Sequence, residues 1–196
     1  GNPIAQLAVP SSEIIDWERV NEWQHADIKS ENFPGMSVRK AYEELLQDKE
    51  GKTIVVAVID TGIDITHEDL NESIWINEDE VPENGIDDDG NTYADDLIGW
   101  DPSGISGGDD NDPNTQVHSH GTHVAGTLAA ATNNGIGVAS AAFNSSILPV
   151  KCTRDNNDEE TINDGYPGIQ YAAKAGYYLG CQGCNPGTIG NPGDES

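Results

Sequence analysis

The tightest constraint on this chain is the run Thr53-Ile-Val-Val-Ala-Val-Ile59, in which every side chain but that of Ala57 is β-branched. Such side chains are stiff at χ1 and suit the pleated surface of a sheet. No charged residue alternates with them, so the run does not read as a strand with one wet face. It reads as a strand buried on both faces of a parallel sheet. A turn at Lys49-Glu50-Gly51-Lys52 leads into it, and it stops abruptly at Asp60-Thr61-Gly62.

The rest of the chain supplies partners for such a strand. Gly121–Ala131 reads as a helix with His123, Val124, Thr127, Leu128 and Ala131 on one face, while the small residues Ala125, Gly126, Ala129 and Ala130 allow close packing. Ile147-Leu-Pro-Val150 reads as a second buried strand, and Gly168–Gly176 as a helix that Gly176 can terminate. Strand, helix, strand, helix implies an α/β layered fold. Ahead of this, Ser37–Gln47 reads as a short amphipathic helix through Val38, Ala41, Leu45 and Leu46. Residues 71–117 form a long acidic excursion in which apolar residues are sparse, and excursions of that length are usually functional or pinned by something. Residues 180–196 are rich in Gly and Pro and are expected to form a disordered tail.

The chain has 196 residues, a soft prior for one domain or a large piece of one. Hydrophobic residues make up 35%, which with the glycines counted is enough for a core. The formal charge of −26 argues against nucleic-acid backbones and anionic membranes as partners, and makes bound cations or a salty medium natural compensations. No stretch approaches the length of apolar sequence that spans a bilayer. The start, without an initiator Met, reads as processed or cut from a longer polypeptide. Three cysteines are too few for a disulfide scaffold, and Cys181-Gln-Gly-Cys184 is weak evidence for metal or redox chemistry because Asn-Pro-Gly follows it.

Two short motifs carry chemistry. Asp60 stands at the carboxyl end of a parallel strand, where open α/β sheets place their sites. Asp60-Thr-Gly62 also matches the catalytic turn of aspartic proteases, but those need a second carboxylate sharing a proton, and no second such turn occurs. The other motif is His118-Ser-His120-Gly-Thr-His123. It can be read as a zinc site, similar to that of metallo-β-lactamase-like hydrolases, with Thr122 where that family usually has Asp. It can equally be read as a general base at a helix start, Gly121 permitting close approach. In the plainest reading His118 is solvated and His123 is a half-buried helix residue.

Taken together, Val56-Ala-Val-Ile-Asp60-Thr-Gly-Ile-Asp64, His67-Glu-Asp69-Leu70, His118-Ser-His120-Gly-Thr-His-Val-Ala-Gly-Thr127 and Asn133-Asn-Gly-Ile-Gly-Val138 closely resemble the subtilisin-like serine proteases, in family order, over roughly residues 52–176. The resemblance implies an α/β, subtilisin-like three-layer fold with a parallel central sheet, truncated before its C-terminal half. Residues 1–50 would be an N-terminal leader packing on the catalytic domain, and residues 51–179 the N-terminal part of that domain. It implies Asp60 and His120 as two members of a Ser-His-Asp triad, in the chain order subtilisin uses, and structural roles for His67 and His123. The family's Gly-Thr-Ser nucleophile motif has no counterpart, since the Gly-Thr pairs here precede His123, Leu128 and Ile189. The chain as given is therefore expected to be inactive. A non-catalytic pseudoprotease or calcium-binding module is the alternative.

The resemblance also implies a structural Ca²⁺ held by Asp69, by the Asn134 side chain, and by the carbonyls of Thr132, Ile136 and Val138, all hard oxygens. A second calcium loop is readable from the residues themselves. Asp87, Asp89 and Asn91, with Asp95 or Asp96, sit in a turn that lacks the first ligand of an EF-hand and competes with a plainly solvated acidic turn. Protein or peptide substrates, a monomer, no membrane insertion and a secreted, extracellular setting complete the expectation.

Overall fold

A computed structural model describes residues 23–47, 49, 52–103, 109–115, 117–142, 144–155 and 161–179. The expected tail at 180–196, Cys181-Gln-Gly-Cys184 and the first part of the leader lie outside these residues. The chain divides into two compact units, Gly1–Glu50 and Gly51–Ser196.

In the first unit, Asp27 organises the turns. Its Oδ1 accepts the Ser30 N–H at 2.8 Å, the Ser30 hydroxyl at 2.9 Å and the Lys29 N–H at 3.1 Å, while Oδ2 accepts the Ser37 hydroxyl at 2.9 Å. The Ser30 backbone bond foremost, then the two hydroxyls and nearby Lys40, hold its carboxyl well below the usual carboxylate range. The amphipathic helix expected over Ser37–Gln47 is corrected here. An α-helical turn, α1 (Val38–Ala41), passes at once into a π-helical turn at Tyr42–Leu46. The change from i→i+4 to i→i+5 bonding carries Leu45 and Leu46 off the face of Val38 and Ala41, and both are exposed.

The second unit is mixed α/β with a small parallel sheet. Strands β1 (Ile54–Asp60) and β2 (Ser145–Lys151) pair in parallel, from Ile54 opposite Ser145 to Asp60 opposite Lys151. Helices α2 (His120–Ala129) and α3 (Gly165–Leu179) complete it. Adjacent residues of β2 point to opposite faces. Ile147 joins Val58, Ile63, Leu70, Ala125 and Ala129 in one buried cluster, whereas Leu148 and Val150 join Trp75, Trp100, Tyr171 and Ala175 in another. Residues of α2 thus pack on one side of the sheet and residues of α3 on the other.

The acidic excursion attaches to this sheet through its few apolar residues. Ile74 bridges to Ile147 and Trp100 to Val150 along β2, secured by Trp75 N–H to Ile147 O at 2.8 Å and Lys151 N–H to Trp100 O at 3.0 Å. Both edges of β2 are therefore occupied. Strand β1 is covered on both faces as expected, Val58 joining the first cluster and Val55, Ala57 and Ile59 packing against the second, but its burial is incomplete. Of its side chains only Val58 is fully buried, and Ile54 is 57% exposed, because among the described residues β1 has one neighbouring strand.

The helices also depart from their expected bounds. Helix α3 begins three residues earlier than Gly168, because Pro167 falls in the first turn, where its missing N–H breaks no helical bond. It runs through Gly176 instead of ending there; a glycine inside a helix costs only about 1 kcal/mol. Helix α2 buries Gly121, Ala125, Gly126 and Ala129, its small residues, and leaves Val124 exposed. The expected face is split: Leu128 packs against the first cluster, whereas His123, Val124 and Thr127 are exposed.

Candidate active site

Strand β1 ends at Asp60, and α2 begins at His120. The two ends meet because Gly121 lets them. A β-carbon at Gly121 would stand 2.2 Å from the Gly62 carbonyl oxygen and 3.2 Å from Asp60 Cβ, so any other residue would drive the helix start off the strand end. The contact brings His120 Nδ1 to 2.8 Å from Asp60 Oδ1 and 3.0 Å from Oδ2. The Thr61 N–H donates to the same Oδ1 at 2.7 Å, which orients the carboxylate.

An ionised carboxylate only accepts hydrogen bonds, so the Nδ1 that faces it carries the proton and Nε2 is the basic nitrogen of the neutral ring. The Asp60 side chain is 13% exposed and the imidazole 61% exposed. A largely buried anion thus backs a ring that presents itself to solvent. The arrangement can take a proton at Nε2 and stabilise the resulting imidazolium through Nδ1–H.

The other histidines do not join it. His118 is buried at 8% exposure, its N–H donating to Thr115 Oγ1 at 3.1 Å and its carbonyl accepting the Thr115 hydroxyl at 2.7 Å. His123 is exposed. Both reverse the plain expectation: His118 lies ahead of α2 and is tied to Thr115, while α2 turns Gly121, Ala125 and Ala129 to the core and leaves His123 exposed. Among the described residues two groups bring three ligand atoms within 4.8 Å, Glu80–Asp87–Asp89 and Asp101–Asp110–Asp155, and the His118–His120–His123 trio is neither. The zinc reading is not supported by this geometry. His67 is half-buried and its Nδ1 accepts the Asp69 N–H at 3.1 Å.

Asp69 is 3% exposed and sits inside the loop that follows α2. Its Oδ1 accepts Asn134 Nδ2 at 2.8 Å, its Oδ2 accepts the Val138 N–H at 2.9 Å, and its carbonyl accepts the Ala131 N–H at 2.9 Å. The loop closes tightly over it, since a β-carbon at Gly137 would lie 2.0 Å from Asp69 Oδ2. Thr132 and Ile136 belong to the same loop, half-buried and exposed respectively. These residues offer one carboxylate, one amide and backbone carbonyls, oxygens of the class Ca²⁺ takes, with both Asp69 carboxylate oxygens accepting N–H groups here. Asn134 turns its amide nitrogen to Asp69, and its Oδ1 accepts the Ile136 N–H at 3.0 Å.

The excursion holds the second acidic group. Asp87 Oδ1 accepts the Gly90 N–H at 2.7 Å and Oδ2 the Thr92 N–H at 2.8 Å, while Asp89 Oδ2 accepts Asn77 Nδ2 at 3.1 Å and Asn91 Nδ2 at 2.9 Å. The same two amides reach Asp96 at 3.1 and 3.0 Å. Asp96 is fully buried, and burial foremost, with Asp89 adding repulsion, pushes its carboxyl up to about 6. Sequence reasoning named Asp87, Asp89 and Asn91 but missed Glu80, whose Oε1 accepts the N–H groups of Asp88 and Asp89 at 2.9 and 3.2 Å, and whose Oε2 accepts that of Asp95 at 2.9 Å. It lies outside the turn motif, so no local pattern marks it. The Asp101–Asp110–Asp155 group was missed as well. There the buried Lys151 Nζ donates to Asp101 Oδ2 at 2.9 Å and also to Asp155 Oδ1. Burial works to lower the Lys151 pKa, but the two carboxylates outweigh it and raise it. Both acidic groups could bind a metal.

Comparison with known proteins identifies the family. The family model described as the subtilase family matches residues 51–192. Subtilisin-like protease 1 of Plasmodium berghei (strain Anka) is 36% identical over 114 residues, covering 58% of this chain and 18% of that protein. The extracellular basic protease of Dichelobacter nodosus is 39% identical over 176 residues, covering 83% of this chain and 26% of that protein. The chain thus spans only a minor part of the length of these relatives. Among solved structures, the complex of the Aeromonas sobria serine protease with its chaperone aligns over 66% of this chain and 16% of the matched chain at 23% identity and a TM-score of 0.36, too slight a likeness to build on. The match of the family model over most of the chain shows that it belongs to the subtilases, the subtilisin-like serine endopeptidases.

Proposed function

We propose that this chain supplies the aspartate and histidine of a Ser-His-Asp triad that hydrolyses peptide bonds in protein substrates. The observation that supports this most directly is the contact of His120 Nδ1 with both oxygens of Asp60 at 2.8 and 3.0 Å, at the junction of a strand end and a helix start. In this reading His120 Nε2 takes the proton of a serine hydroxyl and returns it to the leaving amine. Asp60 fixes the tautomer and stabilises the imidazolium without itself becoming protonated. The serine comes from a Gly-Thr-Ser segment that these 196 residues do not contain, so the chain alone turns over no peptide.

A serine-directed phosphonate tests both halves of the proposal. The 196-residue chain stays unlabelled. A polypeptide joining it to the family's Gly-Thr-Ser segment is labelled, and H120A lowers its turnover by about 10⁶. Labelling of the short chain, or an active H120A, contradicts the proposal.

Calcium belongs to the same reading as a structural ion. Asp69 and Asn134 with the carbonyls of Thr132, Ile136 and Val138 would hold one ion, and Asp87, Asp89 and Asn91 with Glu80 a second. Bound there, the ion would neutralise buried carboxylates. The names of the extracellular protease of Xanthomonas campestris and of the Dichelobacter enzyme, together with the charge of −26, support secretion into a medium that supplies such cations. The acidic loops also support a second reading, a calcium-binding module without turnover. Failure of the joined polypeptide to react with the phosphonate, despite calcium uptake, would favour it.

A further inference from the structure

We infer that Thr61 and Thr122 form a reciprocal clasp that holds His120 on Asp60, each hydroxyl accepting a backbone N–H from the segment that carries the other. This rests on the triad reading above. Thr61 Oγ1 accepts the Gly121 N–H at 3.1 Å, and Thr122 Oγ1 accepts the Asp64 N–H at 3.0 Å. Each is a positioning residue, Thr61 one residue from Asp60 and Thr122 two from His120. Thr61 follows Asp60, and Gly121-Thr122 follows His120.

The clasp answers a need that local structure leaves open. The first N–H groups of a helix have no partner within it. Ser119 precedes α2 but makes no side-chain capping bond. The Gly121 N–H finds its acceptor instead on the strand end, in the 3% exposed Thr61. On the other strand of the contact, the turn after Gly62 must satisfy the Asp64 N–H, and the helix returns an acceptor through Thr122. The two bonds run in opposite directions across the contact of Gly121 with the Gly62 carbonyl. A single contact leaves a helix free to pivot. Two bonds flanking it fix both the approach and the rotation of the helix start, and the rotation decides whether Nδ1 of His120 faces the carboxylate.

The test uses the 196-residue chain and needs no turnover. The titration of His120 is followed by NMR in the wild type, D60N, T61V, T61S, T122V and T122S, with far-UV circular dichroism as the check on folding. D60N lowers the His120 midpoint by about 1 unit or more. T61V and T122V each lower it by roughly 0.3–1 unit in folded protein, and the serine variants, which keep the hydroxyl, restore it. A valine variant that folds and leaves the midpoint unchanged overturns the clasp while the D60N shift keeps the pair. A D60N variant with no shift overturns the pair itself. Where a valine variant fails to fold, amide exchange in the wild-type chain decides. Gly121 and Asp64 exchange more than ~100-fold slower than free amides if the clasp holds, and at free rates if it does not.

Discussion

The carboxyl ends of β1 and β2 and the loop from Asn77 to Asp96 both bury carboxylates, and they do so by opposite means. At the strand ends each buried carboxylate faces a group that is or can become a cation, Asp60 against His120 and Asp101 against Lys151. In the loop the described carboxylates are held without an ion pair, and Lys174 reaches it only at the Thr92 hydroxyl, at 2.7 Å, and the Tyr93 ring. Glu80, Asp87, Asp89 and Asp96 are held by backbone N–H groups and by the amides of Asn77 and Asn91. Dipoles orient a carboxylate but cancel less of its charge than an ion does. The paired carboxylates at the strand ends are therefore compensated within the chain, whereas those of the loop keep more charge for a cation or a proton to relieve.

The comparison breaks most sharply at Lys151. K151A leaves Asp101 buried without its ammonium, and urea unfolding should show a loss of about 3–5 kcal/mol. A loss below 1 kcal/mol would mean that the strand ends are no better compensated than the loop.

The next largest effect is a pH dependence set by Asp96. Its carboxyl is raised to about 6 in the folded chain from 3.8 unfolded. Between those values the folded state binds the proton more tightly, so stability falls as pH rises through this window and the penalty is complete above about 6. The full span corresponds to roughly 3 kcal/mol in the absence of divalent ions. Asp27, whose carboxyl is depressed, acts in the opposite sense, its contribution being lost only as pH falls below the ordinary carboxylate range. Unfolding curves from pH 4 to 7 in chelator measure the slope, and stability that rises over pH 4–6 would contradict this account of the loop.

Calcium sharpens the same contrast. At a hundredfold excess over its dissociation constant it should stabilise the chain by about 2.7 kcal/mol. E80Q and D69N should each reduce the uptake seen by calorimetry, and K151A should not. No uptake by the folded chain would remove both calcium sites. The smallest effect concerns the strand ends alone. G121A should cost about 1–3 kcal/mol by overpacking against the Gly62 carbonyl, and should lower the His120 midpoint by separating the pair.

Much of the scaffold was readable from local pattern. The β-branched run 53–59 and the short apolar run at 147–150 are strands, and Asp60 and His120 lie at element ends where a parallel sheet brings such residues together. What pattern could not resolve was relational. Helix α2 packs through its small residues and Leu128 and leaves Val124 exposed, since the close backbone approach at Gly121 needs a face without bulk. That choice leaves His123 exposed, while the bonds to Thr115 accompany the burial of His118 ahead of the helix. Glu80 and the Asp101–Asp110–Asp155 group escaped because their oxygens converge only after the excursion docks on β2 through Ile74 and Trp100. The π-helical turn at Tyr42–Leu46 has no periodic signal distinct from an α-helix over so few residues.

The central claim is that Asp60 holds the proton of His120 on Nδ1 and leaves Nε2 as the base. Nitrogen-15 NMR of the imidazole, recorded above the midpoint of its titration, reads both atoms directly. The wild type should show a protonated Nδ1 and an unprotonated Nε2, with the preference lost in D60N. A proton on Nε2 in the wild type, or spectra unaltered by D60N, would contradict it.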